Sequence, residues 1–140
     1  PRPGYCDVGS VDQVALAGLH AAIGWLEQID RSTHIELARE QIGKLEAVLN
    51  DAGARCFGIH APSQRMPTLA FSMNGQPSAA IAATLKARGI TAGSGLQCSP
   101  LGHATLGTGD GGLTRISVGI GQNAGEIEAA IEVIRDCIGT

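Results

Sequence analysis

The stretch RMPTLAFSMNGQPSAAIAATLKARGI, Arg65 to Ile90, sets the architecture. Leu69, Phe71 and Met73 alternate with Thr68, Ala70 and Ser72, the period of a strand with one buried face. Asn74-Gly75 is a turn signal, because these residues tolerate the left-handed backbone that reverses a chain. Ser78 is placed to cap a helix that carries Ile81, Ala82 and Leu85 and closes at Gly89. A half-buried strand followed by an amphipathic helix is the unit of a sheet covered by helices.

Upstream of this unit, Ser10 or Asp12 can cap a helix running to about Gln28, with Val11, Ala15, Leu19, Ala22, Leu26 and Ile29 at helical spacing. Ser32, with Glu36 nearby, opens a second helix to about Ala52, striped by Ile35, Ala38, Ile42, Leu45 and Leu49 and stopped by Gly53. Arg55 to Ile59 reads as a short strand. Downstream, Ile90 to Ala92 reads as a short strand entering a glycine-rich loop. Pro100 to Leu106 reads as a helical segment and Gly107 to Gly112 as a loop. Leu113 to Val118 is a strand, and Glu126 to Ile138 is a helix with Ile127, Ile131, Ile134 and Ile138 on one face. The expectation is one α+β domain over residues 1–140, a small sheet covered by helices.

Composition supports a packed domain. The chain has 140 residues, and 44% are hydrophobic but only 3% aromatic, so the core is aliphatic. Trp25 and Tyr5 are read as packing residues. The net charge is −3 with no basic stripe, which argues against nucleic acid as a partner. No apolar run approaches the roughly 20 residues that span a bilayer. The N-terminus has no signal-peptide pattern, so the chain reads as cytoplasmic. Its start at Pro1 rather than Met reads as a fragment or a processed product. Cys6, Cys56, Cys98 and Cys137 form neither a CxxC pair nor a Cys/His cluster, so no metal site is expected and the thiols are read as reduced.

Three stretches can carry chemistry. In GITAGSGLQCSPLGHATLGT, Gly89 to Thr108, a strand feeds a loop of small residues with Cys98 near its tip. A loop cysteine becomes a nucleophile when its surroundings favour the thiolate; the plain alternative is a small buried residue beside a turn. His103 follows five residues later, as a site neighbour or simply a packed histidine. In GGLTRISVGIGQNAGEI, Gly111 to Ile127, Thr114, Ile116 and Val118 share one strand face and Arg115 and Ser117 the other. An arginine so placed can grip a carboxylate with two parallel hydrogen bonds; otherwise it is a solvated surface cation. In DVGSVDQVALA, Asp7 to Ala17, Gly9-Ser10 before a helix can receive an anion such as phosphate, or serve as an ordinary cap.

In order and spacing these stretches resemble the C-terminal small domain of the class V aminotransferase and cysteine desulfurase family, enzymes that use pyridoxal phosphate (PLP). DVGSVDQVALAGLHAAIGWLEQ resembles the family's Gly-Thr step and following helix. RMPTLAFSMNGQPSAAIAATLKARGI resembles its strand–turn–helix with an Arg-x-Pro-Thr start. GSGLQCSPLGHATLGT resembles the cysteine loop of the desulfurase and selenocysteine lyase branch. LTRISVGIGQNAGEIEAAI resembles its closing Arg-x-Ser strand. The resemblance implies that Cys98 is the persulfide-forming cysteine, that Arg115 binds the α-carboxylate of an amino-acid substrate, and that Ser10 reaches the PLP phosphate of the partner subunit in a homodimer. Gln97 and His103 are its candidate site neighbours. It also implies C–S cleavage of a sulfur-containing amino acid.

Some positions depart from the family pattern. Gly93 stands where many relatives have arginine, Gln97 replaces the histidine usual before the cysteine, and Ser10 replaces threonine. The Schiff-base lysine of the family belongs to a larger N-terminal domain, and residues 1–30 here are expected to include the helix connecting to it. Lys44 and Lys86, the lysines of this chain, match no such motif. PLP is therefore expected to be held mainly by a large domain outside this chain, and the chain alone is not expected to be active. Two alternatives stay open: a stand-alone, non-catalytic binding domain derived from the fold, and a transaminase or epimerase branch in which Cys98 is incidental.

Overall fold

A computed structural model describes residues 9–58 and 61–138. The order of elements is α1 (Gln13–Gln28), α2 (Arg31–Asp51), β1 (Arg55–Phe57), a 3-10 turn (Pro62–Gln64), β2 (Thr68–Ser72), α3 (Ser78–Ala87), α4 (Pro100–Leu106), β3 (Thr114–Ser117) and α5 (Ala124–Ile138). The three strands form an antiparallel sheet in the order β1-β2-β3. Among the described residues there are also five α-helices, so the expected α+β class, a small sheet covered by helices, is the fold observed.

The chain divides into two compact units, Pro1–Thr33 and His34–Thr140. In the first, Asp12 caps α1 by accepting from the backbone N–H groups of Val14 and Ala15, both at 3.0 Å. No residue of α1 is buried, and Trp25, expected to be a packing residue, is 52% exposed. Tyr5 lies outside the described residues. Asp30, rather than the expected Ser32, opens α2. Its carboxylate accepts from the Ser32 and Thr33 hydroxyls at 2.6 Å and from the Thr33 N–H at 3.3 Å. These hydrogen bonds hold the Asp30 carboxyl down at about 2.

In the second unit, the pleat of the sheet sorts its residues. Leu69, Phe71 and Ile116 point to one side, where they meet Ile42, Leu45 and Leu49 of α2, Ile81 and Leu85 of α3, and Ile127, Ile131 and Ile134 of α5. Ile127, Ile131, Ile134 and Ile138 are buried on one stripe of α5, as their spacing demands. Asn123 and Glu126 cap this helix reciprocally: each side chain accepts the other's backbone N–H, at 3.0 and 2.9 Å. The opposite side of the sheet carries Phe57, Ala70 and Arg115, which the strand register aligns in one row across β1, β2 and β3.

Two further contacts secure the sheet. Arg65, at the start of the Arg-x-Pro-Thr motif, is buried and paired with Glu46 of α2. Its backbone carbonyl accepts from Arg39 Nε at 2.8 Å. The motif's arginine thus ties the entry of β2 to α2. Ser78, expected to cap α3, does something else. Its hydroxyl donates to the Gly111 carbonyl at 2.6 Å and accepts from the Gly95 N–H at 3.2 Å. Ser78 therefore joins two loops that are 17 and 33 residues away in sequence.

Phe71 is fully buried, the largest side chain to be so among the described residues. Phe71→Ala is expected to lower stability by about 3–5 kcal/mol, read as a shift of the urea midpoint at constant slope. Cys56 supplies a second test. Burial pushes its thiol up to about 11, with the Glu46 carboxylate adding to the rise and Arg65 opposing it. The thiolate is the reactive form, so at pH 8 Cys56 should alkylate about 100-fold more slowly than an ordinary thiol. Its rate should climb roughly tenfold per pH unit until about pH 11, followed by mass spectrometry of the labelled peptide.

Candidate active site

The segment that holds Cys98 is built from β3 outward. Residues Ile90 to Ala92, expected as a short strand, form no strand. Pairing comes one residue later and only at points. Gly93 bridges Arg115 antiparallel, with Arg115 N–H to Gly93 O at 2.8 Å and Gly93 N–H to Arg115 O at 2.9 Å. Gly95 then bridges Gly112, and the Leu113 N–H donates to Gly95 O at 3.2 Å. The glycine content explains why the pairing is not a regular strand. Gly95 and Gly112 have φ of +84° and +61°, outside the extended region.

Gly112 is required where it stands. A Cβ on it would fall inside contact distance of the Gly95 backbone carbonyl, and its left-handed φ resists any side chain. Gly112→Ala is expected to destabilise the chain by about 3 kcal/mol or more, seen as loss of the cooperative urea transition at 25 °C.

Beyond Gly95 the chain turns at Leu96 to Ser99, closed by Ser99 N–H to Leu96 O at 2.9 Å. Gln97 and Cys98 sit in this turn with φ of +46° and +63°. These are the described non-glycine residues with positive φ, and each such residue costs about 1–2 kcal/mol. Cys98 is exposed and its thiol is free. The reading of a small buried cysteine beside a turn does not fit this geometry.

Arg115 is exposed on the open side of the sheet, as the strand alternation requires. Among the described residues no carboxylate pairs with its guanidinium. It borders a cavity of about 270 Å³ whose walls include Phe57, Ala70, Leu113, His103 and Gln97, with Ser99 beside them. Gln97 and Ser99 flank Cys98 in sequence, so the cysteine turn and Arg115 belong to one cavity wall. His103 is buried on α4, and its Nδ1 lies 2.6 Å from the Thr108 hydroxyl. A larger cavity of about 470 Å³ opens between residues 88–91, the end of β3 and α5. Cys98, Gln97, His103 and Arg115 are not among its lining residues.

Of the residues singled out in the sequence, the structure brings Gln97, His103 and Arg115 to one cavity; Cys98 lies in the turn between the lining residues Gln97 and Ser99 but does not itself line it. Ser10 is exposed and belongs to the other compact unit. Phe57, Ala70 and Leu113 were not anticipated as cavity walls. Strand alternation alone puts Phe57 and Ala70 on the side opposite the core, but only the register places them beside Arg115.

The fit to PLP is one-sided. Lys44 is exposed and paired with Glu40 at 3.2 Å, and Lys86 is exposed in the last turn of α3. Neither lines the Arg115 cavity. Among the described residues the site therefore offers a guanidinium and a nearby thiol, but no lysine amine to form an imine with the cofactor. Among the described residues no group of three His, Cys, Asp or Glu side chains could hold a metal ion. No described helix is long and apolar enough to cross a membrane.

The family model for aminotransferase class V matches residues 2–130, and the chain belongs to that family. Among solved structures, it is similar to a cysteine desulfurase from Thermococcus onnurineus NA1 in its apo form. The TM-score is 0.87 at 21% identity, over 97% of this chain and 34% of that one. It is also similar to the cysteine desulfurase CsdA from Escherichia coli in its S-sulfonic acid form. There the TM-score is 0.80 at 21% identity, over 96% of this chain and 33% of that one. The chain thus spans about a third of the length of these enzymes. No curated protein matches it.

Proposed function

We propose that this chain is the small domain of a PLP-dependent enzyme of the cysteine desulfurase and selenocysteine lyase type, acting on a sulfur-containing amino acid. A larger domain would hold the cofactor and its lysine, and residues 1–30 would include the helix leading to it. The observation that carries the reading is the meeting of Arg115 and the Cys98 turn at one cavity. Arg115 has the planar fork that grips a carboxylate, and no described carboxylate occupies it. Cys98 offers an exposed thiol between Gln97 and Ser99, two residues that line the same cavity.

The work of the chain's own residues follows from these positions. Arg115 fixes the α-carboxylate, which orients the substrate's side chain toward the turn. The Cys98 thiolate forms a bond to the substrate sulfur as the substrate's C–S bond breaks. The electron pair of that bond stays with the carbon, and Cys98 is left as a persulfide. PLP, when bound, supplies the electron sink for this cleavage. His103 and Gln97 border the cavity. Ser10, in the first unit, is proposed to reach the cofactor phosphate across a homodimer.

Three variants of the full-length protein test this. Cys98→Ala should abolish persulfide formation and release of alanine from cysteine, measured by sulfide and alanine assays. Transamination or epimerisation that Cys98→Ala retains in full, with no sulfur released from cysteine, would remove Cys98 from the chemistry and favour a transaminase or epimerase with an incidental cysteine. Arg115→Gln should lower kcat/KM by roughly a hundredfold, the loss of about 3 kcal/mol for a two-pronged charged hydrogen bond. Ser10→Ala should weaken PLP retention, measured by release of the cofactor on dialysis. A full-length protein that neither binds PLP nor acts on amino acids would instead indicate a non-catalytic binding domain.

A further inference from the structure

Gly93 and Gln97 meet in space. A Cβ on Gly93 would stand 3.0 Å from Gln97 Oε1, 3.4 Å from its Cδ and 3.6 Å from its Nε2. The space left by the missing side chain is where the Gln97 amide rests. Gly93 cannot drift away to make more room, because both its backbone polar groups are bonded to Arg115.

The amide is anchored at one end only. Gln97 Nε2 donates to the Leu113 carbonyl at 3.2 Å. Its Oε1 is buried and has no hydrogen-bond partner. Gln97 also holds its backbone at φ +46°, directly before Cys98 at φ +63°. Backbone in this region persists only where its surroundings over-determine it. The Gln97-to-Leu113 bond ties the turn to the residue that begins the Arg115 strand.

We propose that Gln97 is the positioning residue of Cys98, and that glycine at 93 admits the Gln97 amide. The two positions are then coupled, because any side chain at 93 would press on the Gln97 amide and make it shift. The inference rests on the reading of Cys98 as the acting thiol, and it names the group that aims it.

The test uses the intact 140-residue chain and the second-order rate of Cys98 alkylation by iodoacetamide. The rate is read from the Cys98 peptide by mass spectrometry, so that other thiols do not contribute. The urea midpoint is followed in parallel. Gln97→Met keeps length but loses the amide, and should speed Cys98 alkylation about threefold or more at an unchanged midpoint, because coupled residues act through their contact. Gly93→Val fills the space of the amide and should speed it equally. The double variant should show no further change. If Gly93→Val does not fold, Gly93→Ala replaces it, with a smaller change that Gln97→Met again absorbs. Wild-type rates in Gln97→Met, or effects that add in the double variant, would overturn the proposal. Failure of the desulfurase reading would show differently: the coupling would persist while Cys98→Ala left the full enzyme active.

Discussion

The backbone pairing of Gly93 with Arg115 is the constraint on which the site depends. Arg115 spends both its N–H and its C=O on Gly93, at 2.8 and 2.9 Å. Its side chain, fixed by the pleat, is sent to the side of the sheet away from the helices. One residue thus does two things at once. Its main chain anchors the strap that leads to Cys98, and its side chain supplies the cation of the cavity that strap borders. Gly112 and Gly95 tighten the same arrangement two residues on, at a distance no Cβ permits. Ser78 closes it from the α3 side by bonding both loops.

Stability and chemistry are divided between the two faces of the sheet. The helix-covered face holds Phe71, Leu69, Ile116 and their aliphatic neighbours, with a buried Arg65–Glu46 pair at its edge. The other face holds one aromatic residue, one alanine and one arginine in register, with little packed over them. Strain collects on that second side, at Gln97 and Cys98, where a functional turn would be expected to carry it.

Much of this was legible in the residues. The alternation of Thr68 to Met73, the stripes of α2 and α5, and the glycine stops at 53 and 89 gave the elements their places, because periodicity reports burial directly. Arg115 opposite Thr114, Ile116 and Val118 was legible for the same reason. The cysteine loop was recognisable by its small residues and its resemblance to a known family. What could not be read was tertiary. Ser78 looks like a helix cap, and nothing local says that its hydroxyl serves Gly95 and Gly111 instead. Asp30 displaces Ser32 as the cap because a carboxylate accepts more bonds than a hydroxyl. The contact of Gly93 with Gln97, four residues on, depends on the turn between them, whose two positive φ angles no pattern of residues announces.

The central claim is that the guanidinium of Arg115 and the thiol of Cys98 serve one cavity. The most direct test compares two reagents of similar size at Cys98, anionic iodoacetate and neutral iodoacetamide, in the wild type and in Arg115→Gln at low salt. A neighbouring cation raises the local concentration of the anion but not of the neutral reagent. The account predicts that the iodoacetate-to-iodoacetamide rate ratio at Cys98 falls severalfold when Arg115 is replaced, while the ratio at Cys137 stays constant. An unchanged ratio at Cys98 would place the two groups in separate sites and contradict it.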